Sequence, residues 1–437
     1  MRPSTLIDLG LSLLLTLLVA GSAFALEIGP EQEPCAPGIV AFGKPPPEAT
    51  GPVGAILETR APIGIGQKQA FEGQTRAPAV QTKAQIRVEV IASGLMYPWA
   101  IAFLPDGQAL VTEQVGRMRL VTSQGQVGDP IAGLPDVSYG CDGGLLDLKA
   151  DPNFASNRMI YWTYTEPRVG GNGLTVARGR LSDDGTHVDD VRSIVQTLPT
   201  IEGRLHYGSR LQFGRDGRLF VSVGERKILP SSIRDQAQDL NSHLGKILRI
   251  NPDGSVPQDN PFVGRERAKA EIWSYGHRHV QGMTINPDTG ILWAIEHGPQ
   301  GGDEINVIEP GKNYGWPIIS YGKEYNGQPV NGGLTASAGL EQPIYYWDPV
   351  IAPSGATFYS GKLVPEWKGN LFVAGLAGEH ISRLVLNGQR VVGEERLLLE
   401  QRQRIRDVQE GQDGALWVVT DHVDGKILRV TPMTDAR

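Results

Sequence analysis

A turn through Gly298-Pro299, a second through Gly301-Gly302 and then the adjacent acids Asp303 and Glu304 make up the stretch "AIEHGPQGGDEINVI", residues 294–308. Two chemistries fit it. Glycine and proline turns followed by the alternating apolar residues Ile305 and Val307 describe a hairpin whose acids are simply solvated. Turn carbonyls converging with a carboxylate describe a seat for a hard cation such as Ca²⁺. Farther on, Arg404 and Arg406 stand at i and i+2 in "QRIRDV", so on a strand they share a face. Two guanidinium groups there repel each other unless an anion lies between them, and their planar forks suit a polycarboxylate ligand. The plainer alternative is a pair of exposed arginines balanced by Asp407 and Glu410. His206, in "EGRLHYGSRLQF", precedes a strand-like run that ends with Glu225 in "SVGER". A histidine on a loop entering a strand suits general-base work because its ordinary pKa lies near neutrality, although a lone histidine is more often structural.

These groups have to be held by the chain from about residue 86. There, short alternating segments rich in Val, Ile, Leu and aromatic residues are separated by Gly, Asp, Asn and Pro turns, which is an all-β texture. One phrase, a Pro/Asp/Gly turn and a strand followed by a second strand, recurs as "LPDGQALVTEQVGRMRLV", "DPNFASNRMIYWTYTE", "GRDGRLFVSVGER", "NPDTGILWAIEHG", "WKGNLFVAGLAGEHISRLVL" and "GQDGALWVVTDHVDGKILRV". Six copies predict a six-bladed β-propeller, with loop insertions stretching the spacing between copies 3 and 5. A pair of β-sandwiches is the alternative. Ring closure removes exposed sheet edges, and "RVEVI" near residue 87 is placed to add a strand to the last blade. Residues 26–85, with "GKPPPEATGP", "ETRAPIG" and "QTRAPAV", lack sustained periodicity and read as a Pro-rich, irregular extension.

The first 25 residues have the layout of a signal peptide: Arg2, the apolar run "LGLSLLLTLLVAG" and the small-residue pattern Ala23-Phe24-Ala25. The expectation is cleavage after Ala25 and a periplasmic or secreted protein. No later run approaches the roughly 20 apolar residues of a membrane span. A net charge of -7 over 437 residues argues against nucleic acid and against a polybasic membrane patch. The two cysteines, Cys35 and Cys141, suffice for one bridge in an oxidising compartment. A buried thiol at Cys141 with a free one on the extension is the other possibility.

From about residue 86 to 432 the chain resembles the soluble PQQ-dependent aldose sugar dehydrogenases of the glucose/sorbosone dehydrogenase family, which are six-bladed propellers. The segments that carry the resemblance are "GGLLDL", "HYGSRL", "VGER", "HLGKILRINPDGSVPQDNPF", "YGHR", "EHGPQGGDEIN", "GKNYGWP", "RIRDV" and "VVTD", in the family's order. It implies that His206 takes the proton of a sugar C1 hydroxyl while hydride passes to the quinone carbonyl carbon of PQQ, and that Glu225 orients the histidine. It implies that Arg278, Arg404 and Arg406 hold the PQQ carboxylates and quinone oxygens and that Asp421 lines the same pocket. The carbonyls of Gly298 and Pro299 are implied ligands of a Ca²⁺ that touches PQQ as a Lewis acid. Glu304 and the Tyr314 carbonyl are implied ligands of a second, structural Ca²⁺. Three cofactor-facing positions depart from the family's pattern. Asp142 stands where relatives usually place a glutamine, His279 where the arginine is normally followed by asparagine, and Ala377 where relatives often carry a cation; the first and last are expected to weaken PQQ binding. The implied activity is oxidation of an aldose sugar to its lactone, with electrons passing on to an external acceptor. Competing readings are a non-catalytic sugar-binding propeller that has lost PQQ and a Ca²⁺-dependent lactonase. A neutral lactone needs no cationic clamp, which counts against the last.

Overall fold

Each of the six recurrent phrases lands on the second strand of a four-stranded antiparallel sheet. The computed structural model describes residues 50–227 and 231–433, so the signal-peptide reading and Cys35 lie outside the described residues. The sheets occupy residues 98–130, 145–196, 208–275, 280–347, 353–397 and 405–432, and form blades 1 to 6 of a propeller. Blade 6 is completed by Ile86–Leu95, which pairs antiparallel with Gly425–Pro432, so the ring is closed by joining the two ends of the propeller chain. Second strands such as Leu219–Val223, Leu292–Glu296 and Leu371–Gly375 are buried along their whole length. Neighbouring blades cover both of their faces, and their sequences are accordingly near-continuous apolar runs. Among the described residues no helix is long and apolar enough to cross a membrane.

At the axis the innermost strands of blades 2, 3, 4 and 6 converge on one guanidinium. Arg210 is 1% exposed; it donates through Nη1 to Asp147 (3.1 Å) and Asp407 (3.2 Å) and through Nε to the Gln281 carbonyl (2.8 Å). It also lies 4.2 Å from the ring centroid of Trp99 in blade 1. A charge this deep is tolerable because its counter-charges are buried beside it.

Residues 50–85 contain no strand beyond isolated bridges, yet they are docked. Thr75 bridges to Tyr346 on the outer strand of blade 4, and Ala79 to Glu394 on the outer strand of blade 5. Leu57, Ala77 and Ala79 are buried. Asp348 accepts the N–H groups of Ile63 (2.7 Å) and Gly64 (2.9 Å), and the Arg76 guanidinium donates to the carbonyls of Glu58, Arg60 and Asp348. The segment is a strap that bonds partly to its own backbone, as Leu57 N–H to the Ala77 carbonyl and Ala79 N–H to the Ala55 carbonyl, and partly to side chains and backbone of the propeller.

Candidate active site

In every blade the ladder between the first and second strands slips by one residue near the start of the first strand. Leu145 pairs with Tyr164 but Leu148 with Trp162, and equivalent slips occur in the other five blades. Such bulges bend a strand and re-aim its side chains. They turn the strand entrances toward a cavity of about 140 Å³ at that end of the ring, lined among others by Asp142, His206, Lys227, Arg278, His279, Gln281, His297, Gly298, Pro299, Tyr325, Ala377, Arg404 and Arg406. The chemically distinctive residues flank the last rungs of these ladders. Beyond Gly208–Val223 stand His206 and Glu225; beyond Val280–Glu296 stand His279 and His297; beyond Ile405–Thr420 stand Arg404 and Asp421.

His206 is held in a left-handed backbone conformation at φ 49°, an uncommon state for a side chain of this size. Its N–H donates to Asp142 Oδ2 at 2.9 Å, and its carbonyl accepts the Arg226 N–H. Its Nδ1 lies 2.8 Å from Glu225 Oε1, while Glu225 Oε2 accepts the Lys227 N–H at 3.0 Å. A carboxylate receiving both bonds assigns the proton to Nδ1 and leaves the Nε2 lone pair as the basic site. Burial, reinforced by Arg278, Lys227, His297 and Arg226, holds the imidazole well below the usual histidine range. At neutral pH the ring is therefore uncharged and able to accept a proton.

Three guanidinium groups face the same cavity. Arg404 donates to Asp421 Oδ2 through Nε (2.9 Å) and Nη2 (2.8 Å), and Arg406 reaches the same oxygen at 3.1 Å. The anion that relieves their repulsion is thus Asp421; Asp407 instead belongs to the Arg210 cluster, and Glu410 bonds Ser360. Burial alone would raise the Asp421 carboxyl, but Arg406 and Arg404 outweigh it and hold it low. Asp421 lies behind the two arginines, and Glu225 lies behind His206, rather than on the cavity wall. Arg278 Nη1 donates to the carbonyls of His297 (3.0 Å) and Gly298 (2.8 Å). The Nε atoms of Arg278 and Arg406 are buried without a protein partner. The Nε atoms of Arg117, Arg234, Arg249 and Arg396, away from this cavity, are likewise unpartnered, so it is the convergence of three guanidinium groups on one cavity that fits an anionic ligand.

The acidic turn divides its labour. Asp303 accepts the N–H groups of Gly298, Ile351 and Ala352, each at 2.8 Å, and so pins the Gly298-Pro299 turn to the entrance of blade 5. Asp303 is thus engaged by backbone amides, a role distinct from the cation seat implied for Glu304. Burial pushes its carboxyl up to about 7 against those amide bonds. Glu304 is the cross-strand partner of Glu296, and both line a small cavity of about 10 Å³ with Gly298, Pro299 and Tyr314. Burial, followed by the charges of Glu296 and Asp303, raises Glu304 well above the carboxylate range. Two facing carboxylates on one small cavity fit a hard cation, although among the described residues no group of three or more His, Cys, Asp or Glu could hold a metal. Any such site must draw on backbone carbonyls.

Asp142, His279 and Ala377 all line the main cavity. Asp142 and His279 also brace His206, the first through its N–H and the second by stacking its ring at 4.6 Å between centroids. The sequence reading missed Glu296, Gln281, His297, Lys227 and Tyr325. Glu296 had left a signal, an acid closing the otherwise apolar run "LWAIE". Cys141 is disulfide-bonded.

Residues 95–429 match the glucose / sorbosone dehydrogenase family. The chain is 42% identical over 354 residues to the aldose sugar dehydrogenase YliI of Escherichia coli, covering 80% of this chain and 94% of that protein. The apo-form structure of the soluble aldose sugar dehydrogenase from Escherichia coli superposes with a TM-score of 0.77 at 41% identity, over 80% of this chain and 100% of that one. The PQQ-bound form of the aldose sugar dehydrogenase from Streptomyces coelicolor superposes with a TM-score of 0.65 at 29% identity, again over 80% of this chain and 100% of that one.

Proposed function

This chain belongs to the glucose / sorbosone dehydrogenase family, and from that premise we propose that it oxidises the C1 hydroxyl of an aldose sugar to the lactone as a PQQ-dependent dehydrogenase. One observation carries the reading beyond family membership. A neutral imidazole oriented by a buried carboxylate shares a cavity with the three guanidinium groups of Arg278, Arg404 and Arg406. His206 Nε2 accepts the C1 hydroxyl proton, and Glu225 stabilises the imidazolium that results. Arg278, Arg404 and Arg406 hold the carboxylates and quinone oxygens of the cofactor, with Asp421 fixing the last two. PQQ, when bound, supplies the two-electron acceptor for the C1 hydride, which no side chain can provide.

For calcium, the carbonyls of Gly298 and Pro299 are the donors beside the cofactor. The Gly298 carbonyl already accepts from Arg278, so a cation there uses its second lone pair. Glu304, Glu296 and the Tyr314 carbonyl make up the donor set of the structural site. The disulfide at Cys141 supports an oxidising, exported setting. Electrons leave to an external acceptor.

The test is to titrate the purified protein with PQQ and Ca²⁺ and to follow bound-cofactor absorbance and dye reduction by a panel of aldoses. Cofactor binding with aldose-dependent reduction is the expected outcome. Absence of both refutes the reading and favours the sugar-binding propeller that has lost PQQ, and binding without turnover refutes the catalytic assignment.

A further inference from the structure

The base and Arg406 of the arginine clamp are joined by an unbroken run of buried contacts. The His279 ring stacks on His206 with 13° between the planes. Its Nδ1 faces the Gly208 N–H at 3.2 Å, and its Nε2 lies 2.9 Å from the side-chain nitrogen of Gln281. Gln281 Oε1 in turn accepts from Arg406 Nη1 at 2.8 Å, and Arg406 continues through Asp421 to Arg404. His279 and Gln281 are only 2% and 3% exposed, although both reach the cavity wall.

Chemistry gives the run a direction. A guanidinium only donates, so Gln281 turns its oxygen to Arg406 and presents its N–H₂ group to His279. His279 therefore meets an N–H on each side, while a neutral imidazole accepts from only one; the nearest acceptor, Asp142 Oδ2, lies 3.7 Å from Nε2, beyond hydrogen-bond reach. Burial, followed by the charges of His206, His297, Arg278 and Arg406, keeps the ring in its neutral form. The conflict eases when an acceptor on a ligand takes hydrogen bonds from Arg406 and releases Gln281 to reorient.

We propose that His279 and Gln281 are positioning residues that lock the His206 imidazole to the Arg406 guanidinium, so that seating an anionic ligand on the clamp also aligns the base. This rests on the dehydrogenase reading for the ligand's identity; the contacts themselves do not. The groups around His206 that must be considered with it are Glu225, Asp142, Arg226, Lys227, Arg278 and His297.

The test uses Gln281→Met, which has similar length without hydrogen bonds, and His279→Phe, which keeps a stacking ring without nitrogens. The first measurement needs no cofactor. In protein labelled with ¹⁵N-histidine, the His206 ring signals should shift in Gln281→Met although residue 281 does not touch that ring; unchanged signals overturn the proposal. The second uses protein saturated with PQQ and Ca²⁺, with saturation checked by quenching of tryptophan fluorescence. Gln281→Met should lower kcat by roughly tenfold to a hundredfold, the scale of misplacing a catalytic group, with a displaced acid limb in the pH profile. The same change in a His206→Asn background should cost nothing further. An equal loss in both backgrounds means general damage and overturns the positioning role. If Gln281→Met fails to fold, His279→Phe carries both measurements. Failure of the wild-type protein to bind PQQ would sink the dehydrogenase reading while leaving the ring-signal result to decide the coupling.

Discussion

Replacing Glu225 by Gln removes one negative charge from the base while changing little in size. In the structure Oε1 lies 2.8 Å from His206 Nδ1 and Oε2 receives the Lys227 N–H at 3.0 Å. When His206 takes the sugar proton it becomes an imidazolium against this carboxylate, inside a site from which water is largely excluded. Opposite unit charges ~4 Å apart attract by ~4 kcal/mol at the effective dielectric appropriate to such sites. Losing that much transition-state stabilisation slows turnover by ~10³-fold. A second loss points the same way: the glutamine can present its N–H₂ to Nδ1, forcing the proton onto Nε2 and removing the basic lone pair. The assay is steady-state dye reduction at saturating PQQ, Ca²⁺ and aldose, compared with His206→Asn and with the double variant. PQQ affinity, read by tryptophan quenching, should stay close to wild type because Glu225 does not line the cavity. The double variant should be no slower than His206→Asn, since the carboxylate acts only through the ring. Turnover within threefold of wild type in Glu225→Gln would refute the assignment of this pair as base and orienter.

Four further outcomes are expected. Calcium at 100 times its dissociation constant should stabilise the fold by ~2.7 kcal/mol, so a chelator should lower Tm; Glu304→Gln should remove that response and raise Tm in chelator, because it relieves the charge facing Glu296. Ala377→Lys should tighten PQQ binding by ~1 kcal/mol, measured by titrating apo-protein at fixed calcium. Asp142→Asn, which retains an acceptor for the His206 N–H, should tighten it similarly with little loss of kcat, whereas Asp142→Ala should also lower kcat. His380, buried with Nδ1 donating to the Gly378 carbonyl, is pulled down to about 3 chiefly by burial. Its folded pKa lies below the unfolded value near 6.5, so the unfolded chain binds the proton first and stability falls as pH drops from about 6.5 toward 3, by ~1.4 kcal/mol per pH unit for one such group. His380→Asn should make denaturant-derived stability less steep in pH by that amount, and an unchanged slope would contradict it.

The propeller was legible because its second strands are covered on both faces, which forces apolar runs, and because each follows a tight turn that only Gly, Asp, Asn and Pro build readily. The strap was not, since its internal bonds form only isolated bridges and its docking bonds go to partners such as Asp348 and Glu395, far away in sequence. The spacing of His206 and Glu225, and of Arg404 and Asp421, follows from hairpin register, yet register is visible only once the one-residue bulges are known. Asp303 and Glu304 illustrate a different limit. Neighbouring residues on a strand face opposite ways, so two adjacent acids of the same charge meet different surroundings, one a fan of amides and the other a second carboxylate. Composition cannot separate them. From sequence, Asp142 and His279 are only changed cofactor-facing positions; what the sequence could not convey is that both touch the base.

The strap and the closing strand also have a place in time. Residues 50–95 are synthesised before any blade exists, yet they dock on blades 4, 5 and 6, the last to be made. The ion pair between Glu58 and Arg396 joins residues 338 apart in the chain. Contacts of such separation form late and slowly, so an emerging chain carries its own fastening unfastened until blade 6 has been made. A chain that stops short of Gly425–Pro432 leaves Ile86–Leu95 without its partner and blade 6 with an open edge, an invitation to pair with another molecule. The ring guards against association only once it is whole, and the period of exposure is set by the length of the chain between its two ends.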